Sequence, residues 1–127
     1  LVLMPLDVTH QAISTPERIA AFRALGNEAG TAVAGMLDFY TPADPERYPE
    51  PGSPLHDPTV IAYLLEPGLF RGRHVNVAIE TESELTMGTT VVDWWKATKR
   101  PANCLVMGAV EADGFYRLLT DRIGRLG

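Results

Sequence analysis

The sequence predicts an α/β fold, and three observations carry that prediction. An apolar opening run suits a covered sheet, two helices follow it, the first with a strong start signal, and a series of short strands closes on a final helix. The opening is Leu1-Val2-Leu3-Met4-Pro5-Leu6-Asp7-Val8. Residues 2–8 are apolar except for Asp7, which suits one buried strand of a sheet covered on both faces. Pro5 cannot donate to a ladder and restricts that strand to an edge or an irregular position. Thr9-His10 follows at the strand's end, the rim where α/β folds place ligand-contacting groups. His10 can therefore face a pocket or be a plain loop histidine.

The helices have clear start signals. Ser14-Thr15-Pro16-Glu17 sets a capping hydroxyl before a first-turn proline and an acid. Ile19, Ala20, Phe22, Ala24 and Leu25 continue that helix, and Gly26-Asn27 stops it. A second helix is predicted from about Glu28 to Tyr40, with Ala32, Val33, Met36, Leu37, Phe39 and Tyr40 on its packed face. Residues 41–54 then hold Pro42, Pro45, Pro49, Pro51 and Pro54 with Gly52, so they read as a long loop or flap carrying Tyr48. The run Thr59-Val60-Ile61-Ala62-Tyr63-Leu64-Leu65 reads as a buried helix. Strands are predicted over 74–82, 86–94 and 104–110, in sequence an antiparallel meander, with a helix from about Ala112 burying Phe115, Tyr116, Leu118, Leu119 and Ile123.

Composition narrows the function classes. A chain of 127 residues makes a single domain, residues 1–127, and 46 % apolar with 21 % charged residues is ordinary for a globular protein. A net charge of -5 argues against nucleic-acid binding, which needs a basic surface. Lys96, Lys99 and Arg100 read as an exposed turn. Cys104 is the only cysteine, which excludes an intrachain disulfide and a thiolate metal cage and fits a cytoplasmic location. No apolar run reaches the roughly 18 residues of a membrane span. The opening within an apolar run, without an initiator methionine, reads as a cut inside a larger fold.

The chemistry concentrates in Gly52-Ser53-Pro54-Leu55-His56-Asp57-Pro58. An imidazole can give or take a proton near neutral pH, and a carboxylate is a hard donor for calcium or magnesium. Asp57 before Pro58 is also the favoured way to begin a helix, so these residues alone read first as an N-cap and a loop histidine. One aspartate does not complete a calcium site of six to eight oxygens, and no D-x-D-x-D-G loop is present. No serine or cysteine sits in a nucleophile motif beside the pair.

Three strings occur in order: Pro5-Leu6-Asp7-Val8-Thr9-His10, Ser53-Pro54-Leu55-His56-Asp57-Pro58 and Thr89-Thr90-Val91-Val92-Asp93-Trp94. Together they resemble the C-terminal part of the inosine–uridine-preferring nucleoside hydrolases, over essentially the whole chain. The resemblance implies a C-terminal fragment of that family's Rossmann-like fold. It implies hydrolysis of the N-glycosidic bond of ribonucleosides to ribose and free base, with a place in nucleobase salvage. It implies that Asp57 is a calcium ligand and that His56 is the general acid for the departing base. Calcium would position the attacking water and the ribose hydroxyls, and the transition state would resemble a ribosyl oxocarbenium ion. Phe39, Tyr40 and Tyr48 are the candidates to enclose the base, without a motif that selects among them.

The family's aspartate-rich N-terminal motif, which supplies most calcium ligands and the base, has no counterpart in these residues. The resemblance therefore implies that the isolated chain is inactive and associates with a missing N-terminal half or with itself as a homo-oligomer. The alternative is a non-catalytic remnant serving as a binding or structural module.

Overall fold

The computed structural model describes residues 1–40 and 52–127. In chain order the elements are β1 (Val2–Leu3), α1 (Leu6–Thr9), β2 (Ile13–Ser14), α2 (Pro16–Arg23), α3 (Glu28–Phe39), β3 (Ser53–Pro54) and α4 (Pro58–Leu65). A 3-10 turn, Pro67–Leu69, leads to β4 (Phe70–Val75), β5 (Val77–Ile79), β6 (Thr90–Val92), β7 (Cys104–Val110) and α5 (Ala112–Gly124).

The opening run is not one strand. Only Val2 and Leu3 pair, parallel to Leu105 and Val106, and Val2 is 42 % exposed. Pro5 has no N–H for a ladder and instead begins a turn of helix, its carbonyl accepting from the Val8 and Thr9 amides. Apolar runs this short do not distinguish a strand from a helical turn, and the proline decides here. The consequence is functional: the turn sets Val8 and Thr9 inward, both buried, with His10 at its end.

The meander is also corrected. Strand β7 is the middle of a three-stranded sheet, between β1 and an antiparallel β4 registered from Phe70↔Val110 to Val75↔Cys104. The expected strand over 74–82 breaks at Asn76, and β5 turns away to pair with β6 as a separate two-stranded ribbon. The ladder between β4 and β7 shifts register at Arg71/Gly72. There a Cβ on Gly72 would stand 2.5 Å from the Val106 carbonyl oxygen, so glycine lets the two backbones close.

The helices start as predicted. Thr15 accepts from the Arg18 amide, Asn27 from Gly30, and Glu111 from Gly114. The main core gathers Val8, Phe22, Ala34, Ala62, Phe115 and Tyr116 between the helices and one face of the sheet. In α3 the packed face is Gly30, Val33, Ala34 and Leu37, while Met36, Phe39 and Tyr40 lie outside it. In α4 only Thr59 and Ala62 are buried, and Ile61, Leu64 and Leu65 face out, so the helix is half covered rather than buried. The turn after Val92 is built on Asp93, whose carboxylate accepts from the Ala97 and Thr98 amides; Lys96 and Lys99 adopt positive φ there and are exposed.

Tyr116 yields a stability prediction. Burial pushes its phenol up to about 12, against the pull of the Arg18 guanidinium over its ring. Above pH 10 the unfolded chain gives up this proton and the folded chain keeps it. The residue's contribution is therefore full below pH 10 and is lost as pH rises towards about 12. Urea midpoints measured below pH 10 and again between pH 10 and 12 should diverge for the wild type and converge for Tyr116→Phe. That variant should cost only about 1 kcal/mol at neutral pH. The Ala12 carbonyl that accepts the Tyr116 hydroxyl also accepts the Leu55 amide and stays satisfied.

Candidate active site

Two short elements bring the site together. The β3 segment is fastened to β2 by its ladder and by the Ser14 hydroxyl, which donates to the Ser53 carbonyl at 2.8 Å. The Ser53 hydroxyl in turn donates to the Tyr40 carbonyl at the end of α3. Two residues on, the Leu55 amide donates to the Ala12 carbonyl at 2.9 Å. His56 then has little freedom in where it emerges, directly over the α1 turn.

There the Thr9 hydroxyl oxygen lies 2.8 Å from His56 Nδ1. Thr9 is 3 % exposed, so the imidazole is held from its inner side by a buried group. The His10 ring stands 5.4 Å from the His56 ring, tilted by 54°. His56 itself is half-buried. Burial holds its pKa below the ordinary imidazole value, the neighbouring His10 adds to that, and Asp57 pulls the other way.

Asp57 is not the cap that Asp-Pro suggests. Its backbone is already helical, and its side chain makes no capping hydrogen bond. The first turn is closed instead by Thr59, whose amide and hydroxyl both donate to the His56 carbonyl, at 3.1 and 2.6 Å. That leaves the exposed Asp57 carboxylate uncommitted beside His56. Its donor chemistry fits one position around a hard cation. Among the described residues no three His, Cys, Asp or Glu side chains stand together, so they do not complete such a site.

The aromatic candidates are dispersed. Phe39, the last residue of α3, is 91 % exposed. Tyr40 lines an apolar cavity of about 400 Å³ together with Leu55 and Pro58, on the flank of the His56 segment. Tyr48 lies outside the described residues. Thr9 and His10, expected at the end of a strand, instead close the α1 turn, and there both lie against His56. The Thr9 hydroxyl as the partner of the imidazole has no local signal, because 47 residues separate the two.

The model of the inosine-uridine preferring nucleoside hydrolase family matches residues 1–117. The chain belongs to that family. It is 44 % identical over 125 residues to a pyrimidine-specific ribonucleoside hydrolase, RihA, of Shewanella sp. strain ANA-3, covering 97 % of this chain and 39 % of that protein. An uncharacterised Schizosaccharomyces pombe protein is 47 % identical over 126 residues, covering 99 % of this chain and 41 % of that one. Among solved structures, a purine-preferring ribonucleoside hydrolase from Gardnerella vaginalis superposes with a TM-score of 0.78 at 29 % identity, over 97 % of this chain and 39 % of that one. The chain thus spans about 40 % of the length of the curated relatives it matches. Among the described residues no helix is long and apolar enough to cross a membrane.

Proposed function

We propose that this chain supplies the leaving-group side of the active site of a ribonucleoside hydrolase, in which water cleaves the N-glycosidic bond to give ribose and the free base. The observation that carries this reading is the His56 imidazole, gripped through Nδ1 by a buried hydroxyl, beside a carboxylate that no cap engages. As the C–N bond breaks, negative charge gathers on the base. A proton given by His56 to a base nitrogen neutralises that charge and makes the base a better leaving group. Asp57 contributes one oxygen ligand to a calcium ion, whose other ligands come from the part of the family's length that this chain does not span. When bound, the cation activates the attacking water as a Lewis acid. Tyr40, beside Leu55 and Pro58, offers an apolar wall for the base. A cytoplasmic setting agrees with the lone, buried Cys104. The outward apolar side chains of α4 and α3 suit cover by further protein, from a second copy or from the remainder of the family's fold.

The protein carrying this chain, incubated with uridine and with inosine, should release reducing sugar. Chelation should stop that release and added calcium restore it. Release that continues unchanged under chelation would overturn the metal role of Asp57. No release from any ribonucleoside would overturn the enzyme reading in favour of a binding or structural module.

A further inference from the structure

The neutral imidazole ring has one hydrogen and two nitrogens, and the environment of Nδ1 decides where that hydrogen sits. Beside His56 Nδ1 is the Thr9 hydroxyl, which has a single proton to give. Two acceptors compete for it: His56 Nδ1 at 2.8 Å and the Leu6 carbonyl at 3.4 Å. The shorter contact has ordinary hydrogen-bond length and the longer one does not. The Leu6 carbonyl is moreover already satisfied, accepting the His10 amide at 2.9 Å. Thr9 is buried, so no bulk water rearranges the choice. Among the described residues, Nε2 of His56 has no hydrogen-bond partner.

We propose that Thr9 is a positioning residue for His56: its hydroxyl donates to Nδ1 and so keeps the hydrogen of the neutral ring on Nε2, the nitrogen left to meet the departing base. With Nδ1 accepting, the neutral ring carries its hydrogen on Nε2. In the protonated ring Nδ1 donates to the Thr9 oxygen instead and Nε2 still carries a hydrogen, so a donor faces the base in either charge state. Were the hydroxyl turned to Leu6, the neutral ring would carry its hydrogen on Nδ1 and present a lone pair to the base. The inference deepens the role given to His56 above and rests on it for its catalytic meaning. The hydrogen's location stands on the geometry alone.

The test uses the protein carrying this chain with 15N-labelled histidine, at a pH where the ring is neutral. In the wild type the His56 nitrogen shifts should report hydrogen on Nε2; a majority with hydrogen on Nδ1 overturns the proposal without any variant. Thr9→Val keeps the shape and removes the hydroxyl. It should convert His56 to a mixture of tautomers and lower kcat by about 10- to 100-fold with little change in KM. Thr9→Ser should restore both. Unaltered His56 shifts in Thr9→Val would overturn the proposal. Failure of the function reading would look different: His56→Gln would leave turnover unchanged while the wild-type shifts still placed the hydrogen on Nε2.

Discussion

If the proposed function holds, replacing His56 by glutamine should lower kcat for ribonucleoside hydrolysis by about 10²- to 10⁴-fold, the usual yield of a positioned general acid. KM changes little, because the proton is needed only as the bond breaks and not while the nucleoside binds. Glutamine keeps polarity and approximate reach, so folding should survive, and circular dichroism can verify that it does. A nucleoside with an electron-poor, readily departing base should lose much less rate in the variant, since it has less use for the proton. Equal losses for good and poor leaving groups would remove His56 from the acid's role. Steady-state kinetics on such a pair decides the matter.

The second large effect is structural and lies four residues earlier. Gly52 adopts φ +124°, a region that side chains rarely enter, and a Cβ there would stand 2.6 Å from the Ser14 carbonyl oxygen. Gly52→Ala therefore combines backbone strain with a collision against the strand that anchors β3, at a cost of about 2–5 kcal/mol. The damage should be directional: β3 lifts from β2, Leu55 releases Ala12, and His56 leaves Thr9. Urea denaturation should show a clearly lower midpoint, and activity should fall further than stability explains. A wild-type midpoint would mean that the loop accommodates the side chain and that β2–β3 does not position His56.

The reach of the sequence reading follows from how local each signal is. The helix start at Thr15 is decided within a few residues, and the first-turn proline of α4 is equally local, while the caps at Asn27 and Glu111 emerge only in the structure. The side chain of Asp57 was harder, because an Asp-Pro pair does not reveal that Thr59 will close the turn and leave the carboxylate unused. Periodicity placed α3 and α4 but not their covered faces: a pattern says which residues share a side, while burial depends on which neighbour arrives. Hence Phe39 and Met36 are apolar and yet exposed. The strand that became a turn at Pro5 shows the limit for short apolar runs. Pairing partners were the least legible feature: β5 and β6 pair as the expected meander implies, but β7 joins β4 and β1 rather than β6, a choice among distant segments.

That choice bears on how the chain folds. Before β4 can meet β7, the segment 76–103 must close as a loop, and closure entropy grows with the length of flexible chain. The β5–β6 ribbon zips within this segment and shortens what remains to be closed. Its two ends are then tied across the gap. The Asn76 carbonyl accepts the Asp93 amide, and the Asn103 side chain accepts from the Val77 amide and donates to the Val77 carbonyl. With the ribbon closed, Val75 and Cys104 face each other across a much shorter gap, and Asn103 ties the ribbon to the end of the central sheet.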